Sequence, residues 1–262
     1  MKWITRFFAD FIGVHLDGLR AMRGLLFLFV AIVLWEFAQH VIEVRIGMFE
    51  SREAARALGG DGSRMLFGWV KMMSVYVGGF FVIRHLFARR GDTNLAPVAT
   101  AFARYLPYMV YMLAIFAALF YARSYAPEAS VDTIRAVLGL SQIFVEPLLM
   151  AWIVAAATDG RIRNPLVSAK QTGLLYLYAL PLFFFARLPV SLAHQQLNSA
   201  ALGREGTVLW SMLALDAIVV GLIVAIIPAI SVRVAAYVRE RGDRGPSISM
   251  PPAKIPLGNG FK

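Results

Sequence analysis

The sequence predicts an all-α polytopic membrane protein: a six-transmembrane-helix bundle preceded by an N-terminal interfacial amphipathic helix. Three observations predict it. The 262-residue chain is 59% hydrophobic and only 16% charged, where soluble domains carry about 25% charged residues. Its mean hydropathy is +0.64. Its apolar residues gather into six stretches of the length that crosses a hydrocarbon core, about 20 residues. The chain has no cysteine, which excludes disulfide frames, thiolate zinc sites, iron–sulfur clusters and Cys nucleophiles.

Taken in order, residues 1–20 come first. Trp3, Ile4, Phe7, Phe8, Phe11, Ile12, Leu16 and Leu19 recur at helical spacing, with Lys2, Arg6, Asp10 and Asp17 between them. That pattern predicts a helix on the cytoplasmic leaflet, its aromatic stripe either in the headgroup region or packed on the protein's own helices. Residues 21–241 hold the spans, at roughly 24–46, 65–87, 104–123, 135–157, 172–194 and 207–232. Between the first two, Glu50 to Leu58 has helix-forming composition and runs into Gly59 and Gly60, which predicts a short helix on the periplasmic face. Residues 242–262, rich in Pro, Gly and Ser, are expected to be a flexible cytoplasmic tail.

Basic residues set the orientation. Of the 26 Lys and Arg, 17 fall on the side of the N-terminus, the second and fourth loops and the tail; 7 fall on the other side, and Lys71 and Arg187 lie inside spans. Both termini are therefore expected to be cytoplasmic, in a bacterial inner (plasma) membrane. The net charge of +10 is then topological. Nucleic-acid binding is a poor reading of it, because no compact domain presents the arginines.

Small residues recur every fourth position at Ala217, Gly221, Ala225 and Ala229 in the sixth span, and at Ala114, Ala118 and Ala122 in the third. They permit close helix approach, within one bundle or between copies. Trp69, Trp152 and Trp210 fit aromatic belts, whereas Trp35 falls near mid-membrane.

The informative residues are polar groups that apolar spans should lack. Glu36, Gln39, His40 and Glu43 follow i, i+3, i+4, i+7 and share one face of the first span. Lys71, Glu146, Arg187 and Asp216 stand in later spans. Measured from each span's midpoint, Glu36 and Glu146 lie near the midplane and the others roughly 6–8 Å or more toward the periplasm. Six charged side chains facing lipid would cost on the order of 15–20 kcal/mol, more than a typical protein's net stability. They are expected to converge inside the bundle and pair, Lys71 opposite the acidic face of the first span. Four carboxylates then face two fixed cations, leaving a surplus that a protonated His40, a neutral acid, a cation or a watered cavity must offset. Pro147, Pro181, Pro189 and Pro228 stand in the same spans, and prolines free backbone carbonyls where transport sites often use them.

The chain lacks HExxH, GxSxG, GxxxxGK[ST] and GxGxxG, so an intramembrane enzyme ranks behind the two readings given below, and no cofactor or metal is expected. Haem would want two histidines at matching depth; of His15, His40, His85 and His194, only His40 lies well inside. Glu36, His40 and Glu43 could ligate a metal by spacing, but Lys71 at their depth opposes a divalent ion. Two readings of function remain. One is binding or transport of an ion or small solute at Glu36, Gln39, His40, Glu43, Lys71, Glu146, Arg187 and Asp216. The other is a non-catalytic accessory or scaffold subunit of a larger membrane assembly. The lipid bilayer is the expected partner in both, with a membrane protein or a second copy beside it.

Overall fold

The computed structural model describes residues 2–91 and 95–244. Most of the proline-rich tail expected beyond residue 241 therefore lies outside the described residues. Among those described, the chain is helical throughout, with no strand. Six helical segments are long and apolar enough to cross a membrane: Leu26–Arg45, Gly62–Arg89, Val98–Phe120, Glu128–Ala157, Pro165–Ala201 and Gly206–Arg241. The elements in chain order are α1 (Lys2–Gly24), α2 (Leu26–Arg45), α3 (Arg52–Ala57), α4 (Gly62–Arg89), α5 (Val98–Phe120), α6 (Ala122–Tyr125), α7 (Glu128–Ala157), α8 (Pro165–Thr172), α9 (Tyr176–Ala201) and α10 (Gly206–Arg244).

Local chemistry explains the boundaries. The short helix expected between the first two spans is α3, and the Ser51 hydroxyl accepts the Ala54 N–H at its start. Asp61 caps α4 by accepting the backbone N–H groups of Ser63 and Arg64. Asn164 caps α8, with Pro165 at the first helical position, where its missing N–H costs nothing. Pro107, Pro147, Pro181, Pro189 and Pro228 all lie inside continuous helices, so the freed carbonyls are tolerated without breaking the spans.

Helix α10 is the central element. It packs on α9, α1, α7, α4 and α2, and 67% of its apolar window is buried, against 17% for α5 at the periphery. Its small-residue stripe faces inward: Ala217, Ala225 and Ala229 are buried, and a Cβ at Gly221 would lie 3.1 Å from Val33 of α2. That stripe therefore serves packing within the bundle. In α5, by contrast, Ala114 is exposed and Ala118 half-buried.

Helix α1 crosses the ends of α9, α10 and α4 on what we term the α1 side of the bundle. Phe7 meets Tyr178 and Phe185 of α9, Gly18 meets Ile226 of α10, and Gly24 approaches His85 of α4. Its acidic residues turn toward the bundle and most of its apolar stripe turns outward. Asp10 is buried and Asp17 nearly so, and Arg233 of α10 reaches both, Nη1 to Asp10 at 2.9 Å and Nη2 to Asp17 at 2.7 Å. The hydroxyls of Tyr178 and Tyr237 also donate to Asp10. Trp3, Ile4, Phe8, Ile12, Leu16 and Leu19 point outward. The aspartates turn inward because a cation and two hydroxyls wait there, while the outer surface can be lipid.

Arginines sorted as loop charges also brace this side. Arg84 donates to the carbonyls of Ala157 and Ala96 at 2.9 Å each, Arg104 to that of Thr158, and Arg239 to the Asp159 carboxylate. Gly160, at φ +74°, lies so close to the Arg104 guanidinium that any side chain would displace it.

Candidate functional site

The site is built outward from α2. Its four polar residues at helical spacing, Glu36, Gln39, His40 and Glu43, are all buried, between 1% and 4% exposed. Because i, i+3, i+4 and i+7 share a face, they hydrogen-bond among themselves. Gln39 Nε2 donates to Glu43 Oε1 at 2.9 Å, and His40 Nδ1 lies 3.0 Å from Glu43 Oε2. Helix α4 supplies the counter-charges. Lys71 Nζ is 3.1 Å from Glu36 Oε1, and Arg64 Nε is 3.1 Å from Glu43 Oε1.

The other wall comes from α9 and α10. Asp216, fully buried, places Oδ2 3.0 Å from His40 Nε2 and Oδ1 2.8 Å from His194 Nδ1. Asn198, one turn after His194, donates to Asp216 Oδ2 at 2.9 Å. One carboxylate thus joins the consecutive helices α9 and α10 to α2, far from both in sequence.

Six of the eight residues singled out from sequence meet here: Glu36, Gln39, His40, Glu43, Lys71 and Asp216. The other two stand apart, and share no hydrogen bond or ion pair with the six among the described residues. Glu146 is buried beside the Tyr108 hydroxyl at 3.3 Å, because α7 packs chiefly on α10, α5 and α8. Arg187 is half-buried, its guanidinium 5.0 Å from the centre of the Phe183 ring. Sequence reasoning missed Arg64, counted as a loop charge, His194, at the end of the fifth span, and Asn198, which was not singled out. The available signal was their i, i+4 spacing, which puts two polar groups on one face of an apolar helix.

The charge count changes accordingly. Glu36, Glu43 and Asp216 face Lys71 and Arg64, leaving one negative charge before the histidines are considered. Both ring nitrogens of His40 face carboxylate oxygens at 3.0 Å. Each contact needs a proton between nitrogen and oxygen, and a neutral imidazole carries only one. The arrangement therefore accommodates one additional proton, on the ring or on a carboxylate. Two buried acceptors, Glu36 Oε2 and Gln39 Oε1, have no hydrogen-bond partner among the described residues. Ligand atoms of Glu36, His40 and Asp216 lie within 4.8 Å of one another, a spacing a small cation could bridge. Lys71 on the same Glu36 carboxylate opposes a divalent ion there.

A surface cleft lies on the side opposite α1, which we term the far side. This cleft of about 740 Å³ is lined by α3, the start of α4, α5 and α7, and Arg64 stands in its wall. Arg64 belongs to both cleft and network: it donates to Glu43 inward and to the Gly59 carbonyl at 2.9 Å.

The fold and this site fit a class, an integral multi-pass helical membrane protein with a charged hydrogen-bond network enclosed between its helices. No protein-family model matches the chain, and no curated protein or solved structure matches it.

Proposed function

We propose that the protein binds and moves a single positive charge, a proton or a monovalent cation, at the Glu36–His40–Asp216 centre. The observation that carries this reading is the junction at Arg64. On one side of Arg64 is an open cleft, and on the other a buried network that is one positive charge short of balance before its histidines are counted and that holds two acceptors unpartnered among the described residues. A purely structural ion-pair network gains nothing from orphaned buried acceptors, each of which costs about 1–3 kcal/mol. A network that alternately holds and releases a cation requires them. Displacement of Arg64 from Glu43 would open the path between cleft and centre.

The test is flux. Purified protein in liposomes, with an enclosed pH dye and an imposed potential, should carry protons, or sodium or potassium in parallel arms, faster than empty vesicles. Glu36→Gln and Asp216→Asn should abolish the excess. Rates equal to empty vesicles for all three ions would overturn the reading.

A second reading rests on a different observation. The outward apolar stripe of α1 also suits docking against another membrane protein, as an accessory subunit would use it. Purification from native membranes with a single dominant partner in fixed ratio would favour that role.

A further inference from the structure

We propose that the far-side cleft and the groove beside it form one binding site for an anionic phospholipid. This does not depend on ion movement. Arg56, Arg64, Arg123 and Arg135 all line the cleft, and among the described residues no carboxylate does. Arg64 is held by Glu43, and Arg123 donates to the Arg56 carbonyl. Glu53, on the same helix as Arg56, partly offsets it. Arg135 is exposed and makes no hydrogen bond or ion pair among the described residues. A concave surface carrying several arginines and no acid favours a phosphate group, which guanidinium forks bind in bidentate fashion.

The groove supplies the rest of the ligand. Trp69, in the cleft wall, also lines a second cavity of about 430 Å³ between α2 and α4, walled by Leu28, Ile32, Trp35, Met73 and Val77. From Trp69 to Val77 the groove follows α4 for about 12 Å, running inward from the far side along two apolar spans. Its indoles are turned so that the polar edges are satisfied: Trp69 Nε1 donates to Tyr121 and Trp35 Nε1 to the Phe67 carbonyl. Ser74 also lines the groove, and its hydroxyl donates to the Val70 carbonyl at 2.9 Å, so the surface left to a ligand is predominantly hydrocarbon. An arginine-lined cleft adjoining an apolar groove at Trp69 matches an amphiphile; a soluble anion would leave the groove unused.

The full-length protein should be extracted in mild detergent, exposed to phosphatidylglycerol or phosphatidylcholine, and its retained lipid counted by native mass spectrometry. Phosphatidylglycerol should be retained in preference, and Arg123→Gln with Arg135→Gln should weaken retention about fivefold for each arginine removed. Met73→Trp, which puts an indole into the groove, should weaken it with all four arginines intact. Arg135→Gln alone, at an exposed position with no partner to lose among the described residues, separates lipid loss from misfolding. Inorganic phosphate at millimolar concentration should compete poorly. Equal retention of the two lipids, or displacement of phosphatidylglycerol by phosphate alone, would overturn the proposal.

Discussion

His40 and Asp216, 176 positions apart, meet at 3.0 Å in the interior of the bundle, and the other oxygen of the same carboxylate holds His194 at 2.8 Å. This single contact ties α2 to α10, and through His194 to α9. It converts three apolar helices with isolated polar residues into one network. The stability of the helix arrangement and the chemistry of the site therefore depend on the same side chain.

Asp216→Asn removes the charge from a fully buried position facing two histidines. The loss should be about 3 kcal/mol, as for other broken buried pairs. His194→Gln, at a side chain 34% exposed, should cost below about 1 kcal/mol. Unfolding in mixed micelles compares the two, and equal losses would place His194 in the core of the network rather than at its rim.

Lys71→Met leaves Glu36 buried without its cation. Destabilisation of about 3 kcal/mol is expected, and Lys71→Met combined with Glu36→Gln should recover most of it, since the double change removes both charges. A double-mutant cycle measures the coupling. Additive losses in the cycle would show that the two groups do not act as a pair.

Arg233→Met strips two aspartates of their shared cation. The expected result is loosening of α1 with the rest of the bundle intact, a loss of about 2 kcal/mol confined to residues near Asp10 and Asp17. Hydrogen exchange by peptide resolves it. Arg233→Lys should rescue only partly, because an ammonium cannot reproduce the guanidinium's paired contacts.

Gly221→Leu should destabilise by about 1–3 kcal/mol through overpacking, because the added atoms would start 3.1 Å from Val33. Ala114→Leu, at an exposed position on α5, should change stability little. If instead Ala114→Leu changes the oligomeric state in detergent, the α5 stripe is an intermolecular contact.

Asp61 gives a pH-dependent cap outside the spanning segments. The Ser63 hydroxyl and then the Arg64 N–H hold its carboxyl below the usual carboxylate range. With the folded value depressed, its contribution is fully present above the unfolded pKa and is lost as pH falls through the folded one. Exchange protection at the start of α4 should therefore be constant from neutral pH down to about pH 4 and decline below it, and Asp61→Asn should abolish that decline.

Much of the architecture is legible from short-range pattern. Runs of apolar residues near 20 mark the spans, helix-forming composition ahead of the Gly59–Gly60 pair marks α3, and spacing alone puts Glu36, Gln39, His40 and Glu43 on one face. These features depend on helix periodicity and on the cost of polar groups in lipid, both of which act within one segment. Tertiary structure decided the rest. Hydropathy reports how greasy a segment is but carries no information about which way each side chain turns around the helix axis or which segment it meets. Only packing turned Asp10 and Asp17 inward to Arg233, drew Arg64 from the loop onto Glu43, separated Glu146 and Arg187 from the main network, and set Asp216 between His40 and His194. Each of those outcomes involves residues on different helices, and is fixed by the rotation and register of whole helices against one another.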